Sequence, residues 1–384
     1  MSRGVVLLPV TTLRLAGRHL ATLTLLFGLG YLARYALTSA GVAVSHGHHE
    51  QLRRVLAVLI LTGLITITLA VTVGMLNALR GTDGEPFLDA IGRALLPFVV
   101  IYVAWGMYLD DVRAFSRADV ERNLNSAAHG SVAGFALDVR NLWLALVATA
   151  VAWALRTGLE RYRRRRPLAV LLAYCETAFN LFAVSSVLLL AGKGTDWVTS
   201  RRVWPGGGDL PYQQAVGFAF STLALPLVWL AMASVVYGLG VEPDDHEAVL
   251  EGTRLQGVAQ AGAEHRNLVR LLSGQRERWV PLLHATRLIL RAGAPALGLF
   301  CLCYYAVDLA VAYGFRGALH LVGPDHDPAA WPAILVPLEF ARELVRTVLH
   351  LALLAAAVGV AGGISAETAA PEGDPVATEP AGTA

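Results

Sequence analysis

Eight stretches of this chain are apolar for about the length that crosses a bilayer, near residues 20–44, 55–79, 94–110, 140–156, 167–191, 214–239, 284–314 and 332–363. A helix needs about 20 such residues to traverse a hydrocarbon core about 30 Å thick. The chain therefore reads as an all-α integral membrane protein, a bundle of about eight transmembrane helices. Composition agrees, with 55% hydrophobic and 16% charged residues and a mean hydropathy of +0.53, where soluble domains carry about 25% charged residues. A formal net charge of +2 implies no nucleic-acid surface. The bilayer is the partner that composition predicts.

Orientation follows from the arginines in the short connections. With the N-terminus inside, Arg3, Arg14, Arg18, Arg80, Arg93, the 156–167 stretch RTGLERYRRRRP and the Arg254–Arg278 region are all cytoplasmic. This gives N-in/C-in topology in the plasma membrane. The run Arg163–Arg166 carries the sign of the topology, and its rival reading is a docking patch for anionic lipids or an acidic partner. Arg14 and Arg18 interrupt the first apolar stretch, which predicts a retained helix and not a cleaved signal peptide.

Three units emerge: a first four-helix half over 1–166, a second over 167–363 with a cytoplasmic helical loop at 240–282, and a disordered cytoplasmic tail over 364–384. Within the loop, Asp244 three residues before Glu247 resembles a capping box and Gly274 a C-cap. The resulting helix would lie on the membrane, on the bundle or on a membrane-protein partner. The 110–138 stretch reads as an outside hairpin or interfacial helix. Outside loop 192–214 sets Trp197, Trp204 and Tyr212 at headgroup height. An echo between LFGLGYLARY at 26–35 and LFCLCYYAVD at 299–308 fits transporter-like construction from repeated halves.

Charges within apolar segments mark where function can sit, because each costs about 2.5–3.5 kcal/mol to insert and normally faces the bundle interior. A straight helix over Trp331–Gly363 would measure about 50 Å, which leaves Glu339, Arg342, Glu343 and Arg346 near the outer boundary of the core. The spacings i,i+3 and i,i+4 allow a ladder among them. Counting along the neighbouring segments puts Arg34 and Asp308 at a similar depth, and the sequence predicts that these two pair. Glu176, with Asn180 one turn later, lies too deep to reach water and reads as a proton-coupling acid or a helix-to-helix hydrogen bond.

Metal chemistry has a weaker signature. His46, His48 and His49 in one outside loop and Asp325, His326 and Asp327 in another could share Zn²⁺ or Ni²⁺. Cys175, Cys301 and Cys303 lie in apolar runs and read as buried hydrophobes. There is no Walker A, G-x-S-x-G, H-E-x-x-H or dinucleotide fingerprint, so no cofactor is predicted. The sequence supports a transporter or permease-like protein for a small solute or lipid-linked substrate. Its rivals are a non-transporting scaffold or accessory subunit of a membrane complex, and an intramembrane enzyme using scattered acids and histidines.

Overall fold

A computed structural model describes residues 7–45, 50–80, 87–123, 142–160, 166–199, 211–238, 294–323, 325–327 and 330–369. The described residues form helices and no strands. In chain order the helices are α1 Leu8–Ser45, α2 Glu50–Arg80, α3 Phe87–Ala104, α4 Met107–Asn123, α5 Leu142–Glu160, α6 Arg166–Thr199, α7 Pro211–Val236, α8 Ala294–Val322 and α9 Trp331–Ala369. Five of them contain spans long and apolar enough to cross a membrane: Leu8–Ala43, Leu59–Arg80, Leu171–Gly194, Pro295–Val322 and Trp331–Val360. A sixth is the bent pair Ala90–Ala104 and Met107–Ala118. The chain is thus a polytopic helical membrane protein. The 240–282 loop, the Arg163–Arg165 run and the 370–384 part of the tail lie outside the described residues.

Burial separates a central set from a peripheral one. Ile65, Leu69, Met75 and Leu76 on α2, Leu95 and Phe98 on α3, Met232 on α7 and Leu353 on α9 are enclosed in one core. Alanines of α3, α7 and α9 belong to the same core, among them Ala94, Ala231, Ala233, Ala352 and Ala355. Without a hydrophobic drive between helices in lipid, close backbone approach of this kind is what holds a bundle together. By contrast α1 and α8 bury only 11% and 17% of their apolar windows. Leu13, Leu25, Leu29, Leu32, Leu302, Leu309 and Tyr313 point away from the protein, as a lipid-facing surface requires.

Glycines set the seam between α1 and α2. A Cβ added at Gly30 would stand 2.4 Å from Val71 Cγ2, and one at Gly41 would stand 2.5 Å from Ile60 Cδ1 and 2.9 Å from Phe115. Gly63 is filled in turn by Leu37, whose Cδ2 lies 2.7 Å from the same position.

The third apolar segment, expected to run from 94 to 110, breaks before its end. Gly106 takes φ +69°, its N–H donates to the Val103 carbonyl at 3.2 Å, and the chain restarts as α4 at a 69° bend. Positive φ carries no Cβ penalty at glycine, so this is a helix C-terminal stop. Past it, α4 is amphipathic. Asp111, Val112 and Phe115 are buried while Asp110 and Arg113 are exposed. It packs beside the C-terminal end of α1 and the N-terminal end of α2, where Phe115 meets Val42, Ile60 and Leu64.

Candidate functional site

A cavity of about 450 Å³ lies where α1, α2, α3, α4, α7, α8 and α9 converge. Much of its wall is aromatic, from Phe27, Tyr31, Phe98, Trp229 and Tyr304, and its polar face carries Arg34, Asp110, Glu343, Arg346 and His350. Edge-to-face contacts fix the wall: Phe98 and Trp229 have centroids 6.0 Å apart, and Tyr31 stands 4.9 Å from Phe340 across the α1–α9 boundary. Trp229 also holds a fully enclosed indole N–H with no acceptor among the described residues.

Two ionic clusters flank the cavity. In the first, Arg34 of α1 forms an ion pair with Asp111 of α4 and donates to Thr68 Oγ1 and, at 3.4 Å, to the Leu64 carbonyl on α2. The other Asp111 oxygen accepts the Tyr102 hydroxyl from α3. Four helices therefore meet at one guanidinium–carboxylate pair, and Asp111 is only 5% exposed. Its burial is compensated because both carboxylate oxygens are hydrogen-bonded.

The second cluster joins α8 to α9. Arg346 Nε donates to Asp308 Oδ1 at 2.8 Å, and Arg346 Nη1 stands 3.9 Å from Glu343. Arg342 binds the same Glu343 at 2.9 Å and lies 4.8 Å from the centre of the Phe315 ring. His350, one turn beyond Arg346, stacks on Tyr304 with centroids 4.2 Å apart, and its Nε2 is 3.3 Å from the Tyr304 carbonyl and 3.7 Å from Asp308 Oδ1. Asp308 thus faces two basic groups at once.

The predicted Arg34–Asp308 pair is not made. Each residue has another partner, Asp111 for Arg34 and Arg346 for Asp308. Both depth counts lacked a piece of geometry: α8 continues to Val322, which moves Asp308 to mid-helix, and the bend at Gly106 returns Asp111 to the bundle. Of the α9 ladder, Glu343–Arg346 is present at 3.9 Å, Arg342 turns to its immediate neighbour Glu343, and Glu339 is exposed with no ion pair among the described residues.

Glu176 does not line this cavity. Its Oε1 lies 3.2 Å from Arg156 Nε on α5, and the Asn180 side chain donates back to the Glu176 carbonyl at 2.7 Å. Arg156, expected in a cytoplasmic connection, sits within α5 and is the partner that sequence reasoning missed. His46, His48 and His49 lie outside the described residues. Asp325, His326 and Asp327 are exposed, with His326 against Trp331 at 5.9 Å, and no group of three metal-ligating side chains occurs among the described residues.

These features define a polytopic membrane protein with a mixed aromatic and ionic cavity in its helical bundle. No protein family, curated protein or solved structure matches the chain.

Proposed function

We propose that the chain is a transporter of a small solute or lipid-linked substrate, an eight-span N-in/C-in protein of the plasma membrane whose substrate binds in the central cavity. The observation that carries this is the cavity itself, of about 450 Å³ and walled by arginines, carboxylates and aromatic rings. Its size falls in the range of small-molecule sites, about 300–1,000 Å³. A scaffold gains nothing from such a space, since closing the ion pairs over it with apolar side chains is often neutral or stabilising. The intramembrane-enzyme reading has less support, because among the described residues no hydrogen bond around the cavity pairs a nucleophile with an oriented base.

The favoured substrate pathway runs over Arg34, Asp308, Glu343 and Arg346, with Glu339 and Arg342 at its margin. Glu176 with Arg156 forms a separate polar contact between α5 and α6, and Asn180 bonds the Glu176 carbonyl within α6. Anionic lipid at Arg163–Arg166 remains part of the proposal through its topology role. The second reading, a scaffold or accessory subunit, is favoured by the internal pairing of Arg34 and Asp111.

Single cysteines at Thr72 and Thr347, both on the cavity wall, separate the two. In vesicles holding the full chain, a transporter is modified at both sites by water-borne thiol reagents, and alternation makes the accessible side depend on solute. A scaffold with a sealed interior leaves both thiols unmodified from either side.

A further inference from the structure

We infer that the cavity binds a monocarboxylate with an apolar, aromatic-sized body together with one proton, the proton residing on His350 and the carboxylate on Arg346. This rests on the cavity being a solute site and names what that solute is.

Charge balance leads there. The charged groups on the cavity wall are Arg34, Asp110, Glu343 and Arg346. Their immediate partners are Asp111, Arg113, Arg342 and Asp308. Four guanidiniums and four carboxylates sum to zero. Of the helices packed against α9, α8 presents Asp308 and Tyr304 to His350, α1 presents Arg34 and Tyr31 across the cavity, and α2 and α7 present no charged group to it. On α9 itself the neighbours are Glu343 and Arg346. Tyr102 and Asp110 complete the far wall from α3 and α4.

Among these side chains only the imidazole of His350 belongs to the type whose unperturbed charge change falls near neutral pH. A carbonyl oxygen only accepts, so the Tyr304 contact at 3.3 Å assigns the first proton to Nε2 and leaves Nδ1 for the second. Once charged, His350 is a second cation for Asp308, which it already approaches at 3.7 Å while Arg346 binds the same oxygen at 2.8 Å. Arg346 then shares its carboxylate and the cluster carries one net positive charge. Uncompensated charge in a low-dielectric interior is costly, so one anion enters with the proton and restores neutrality.

The anion's chemistry follows from its donors. A guanidinium edge matches a carboxylate in two parallel hydrogen bonds, and Arg346 is 46% exposed with only its Nε engaged in a hydrogen bond among the described residues. Trp229 adds an enclosed N–H that lacks an acceptor. One proton balances one negative charge, which selects a monocarboxylate over a phosphate dianion. The aromatic wall takes the body.

The test is calorimetric titration of 2-naphthoate into the full chain in nanodiscs from pH 5.5 to 8, in two buffers of different ionisation enthalpy. The expected result is uptake of close to one proton per anion, with affinity falling about tenfold per pH unit where His350 is free of its proton. His350→Gln should flatten that slope, and 2-naphthamide should bind weakly with no slope. The proton count comes from wild type alone, so it stands if the variant fails to fold. Binding without proton uptake overturns the coupling, and absence of binding at millimolar 2-naphthoate overturns the substrate class. In either case, modification of the Thr72 and Thr347 cysteines still shows a water-reached solute cavity, which is lost only if those thiols are silent too.

Discussion

A guanidinium in a hydrocarbon core is costly unless it is paired, and Arg34 shows what makes it tolerable. Asp111 supplies the charge, Tyr102 holds the second carboxylate oxygen, and Thr68 and the Leu64 carbonyl take remaining N–H groups. Removing Arg34 alone leaves Asp111 buried and uncompensated, a loss of about 3–5 kcal/mol. Arg34→Ala should therefore destabilise the protein by that amount in denaturant unfolding from mixed micelles, and Arg34→Ala/Asp111→Ala by less. Arg34→Ala and Asp308→Ala should instead add, since the two sites share no partner. A coupling between Arg34 and Asp308 as large as that between Arg34 and Asp111 would contradict the arrangement.

The sequence showed that Arg34, Asp308, Glu343 and Arg346 are charges set within apolar segments, because each interrupts an apolar run. It did not show who pairs with whom. Partner choice depends on where helices end and bend, and one glycine at φ +69° brings Asp111, expected in an outside hairpin or interfacial helix, to the side of Arg34. His350 and Tyr304 gave no signal at all. One histidine in LHLALL and one tyrosine in LCYYAV look like ordinary core residues until α8 and α9 stack their rings.

At the scale of the element, the α1–α2 seam and the α3–α4 break carry the geometry that positions both clusters. Gly28 and Gly30 are two residues apart on α1 and point to different faces: a Cβ at Gly28 meets nothing within 4 Å, and one at Gly30 meets Val71. Gly28→Ala removes a helix-interior glycine and should be neutral or stabilising by about 0.5–1 kcal/mol. Gly30→Ala must push α1 off α2 or displace Val71, an overpacking cost of about 1–3 kcal/mol. Thermal unfolding of the two variants side by side gives opposite signs if the seam is as described, and equal shifts would dismiss it. At Gly106 the cost is conformational: Gly106→Ala carries about 1–2 kcal/mol of left-handed strain, and relief by straightening α3 into α4 would withdraw Asp111 from Arg34. Such a variant should lose the Arg34–Asp111 coupling as well as stability. Helix existence was legible throughout, since all eight predicted apolar segments contain helix among the described residues. The break was not, because Trp105 and Met107 on either side of Gly106 are apolar and hydropathy reads straight across them.

For the molecule as a whole, topology turns on how many times the chain crosses between α2 and α6. With the N-terminus inside, α1 leads out and α2 returns, which puts Arg80 inside. If α3 crosses outward, α4 lies on the outer surface and α5 crosses back, the count reaches eight and residues 124–141 are outside. If α3 and α4 instead form a re-entrant pair and α5 does not cross, the same residues are inside and the count falls to six. Both schemes leave the Arg163–Arg166 run inside, residue 206 outside after α6, and the C-terminal tail inside, so labelling at those positions fixes orientation but cannot choose between them. Parity makes residue 128 the informative position. The arginine-bearing connections are cytoplasmic in both schemes; what favours the eight-span scheme is that Phe115 of α4 packs with Val42 near the C-terminal end of α1 and Ile60 of α2, the ends that face outside when the N-terminus is inside. Ala128→Cys should therefore be labelled by a membrane-impermeant maleimide in intact cells, as should Gly206→Cys, while Arg163→Cys and Ser365→Cys are labelled only after permeabilisation. Shielding of Ala128→Cys with labelling of Gly206→Cys would establish the re-entrant hairpin and overturn the eight-span scheme.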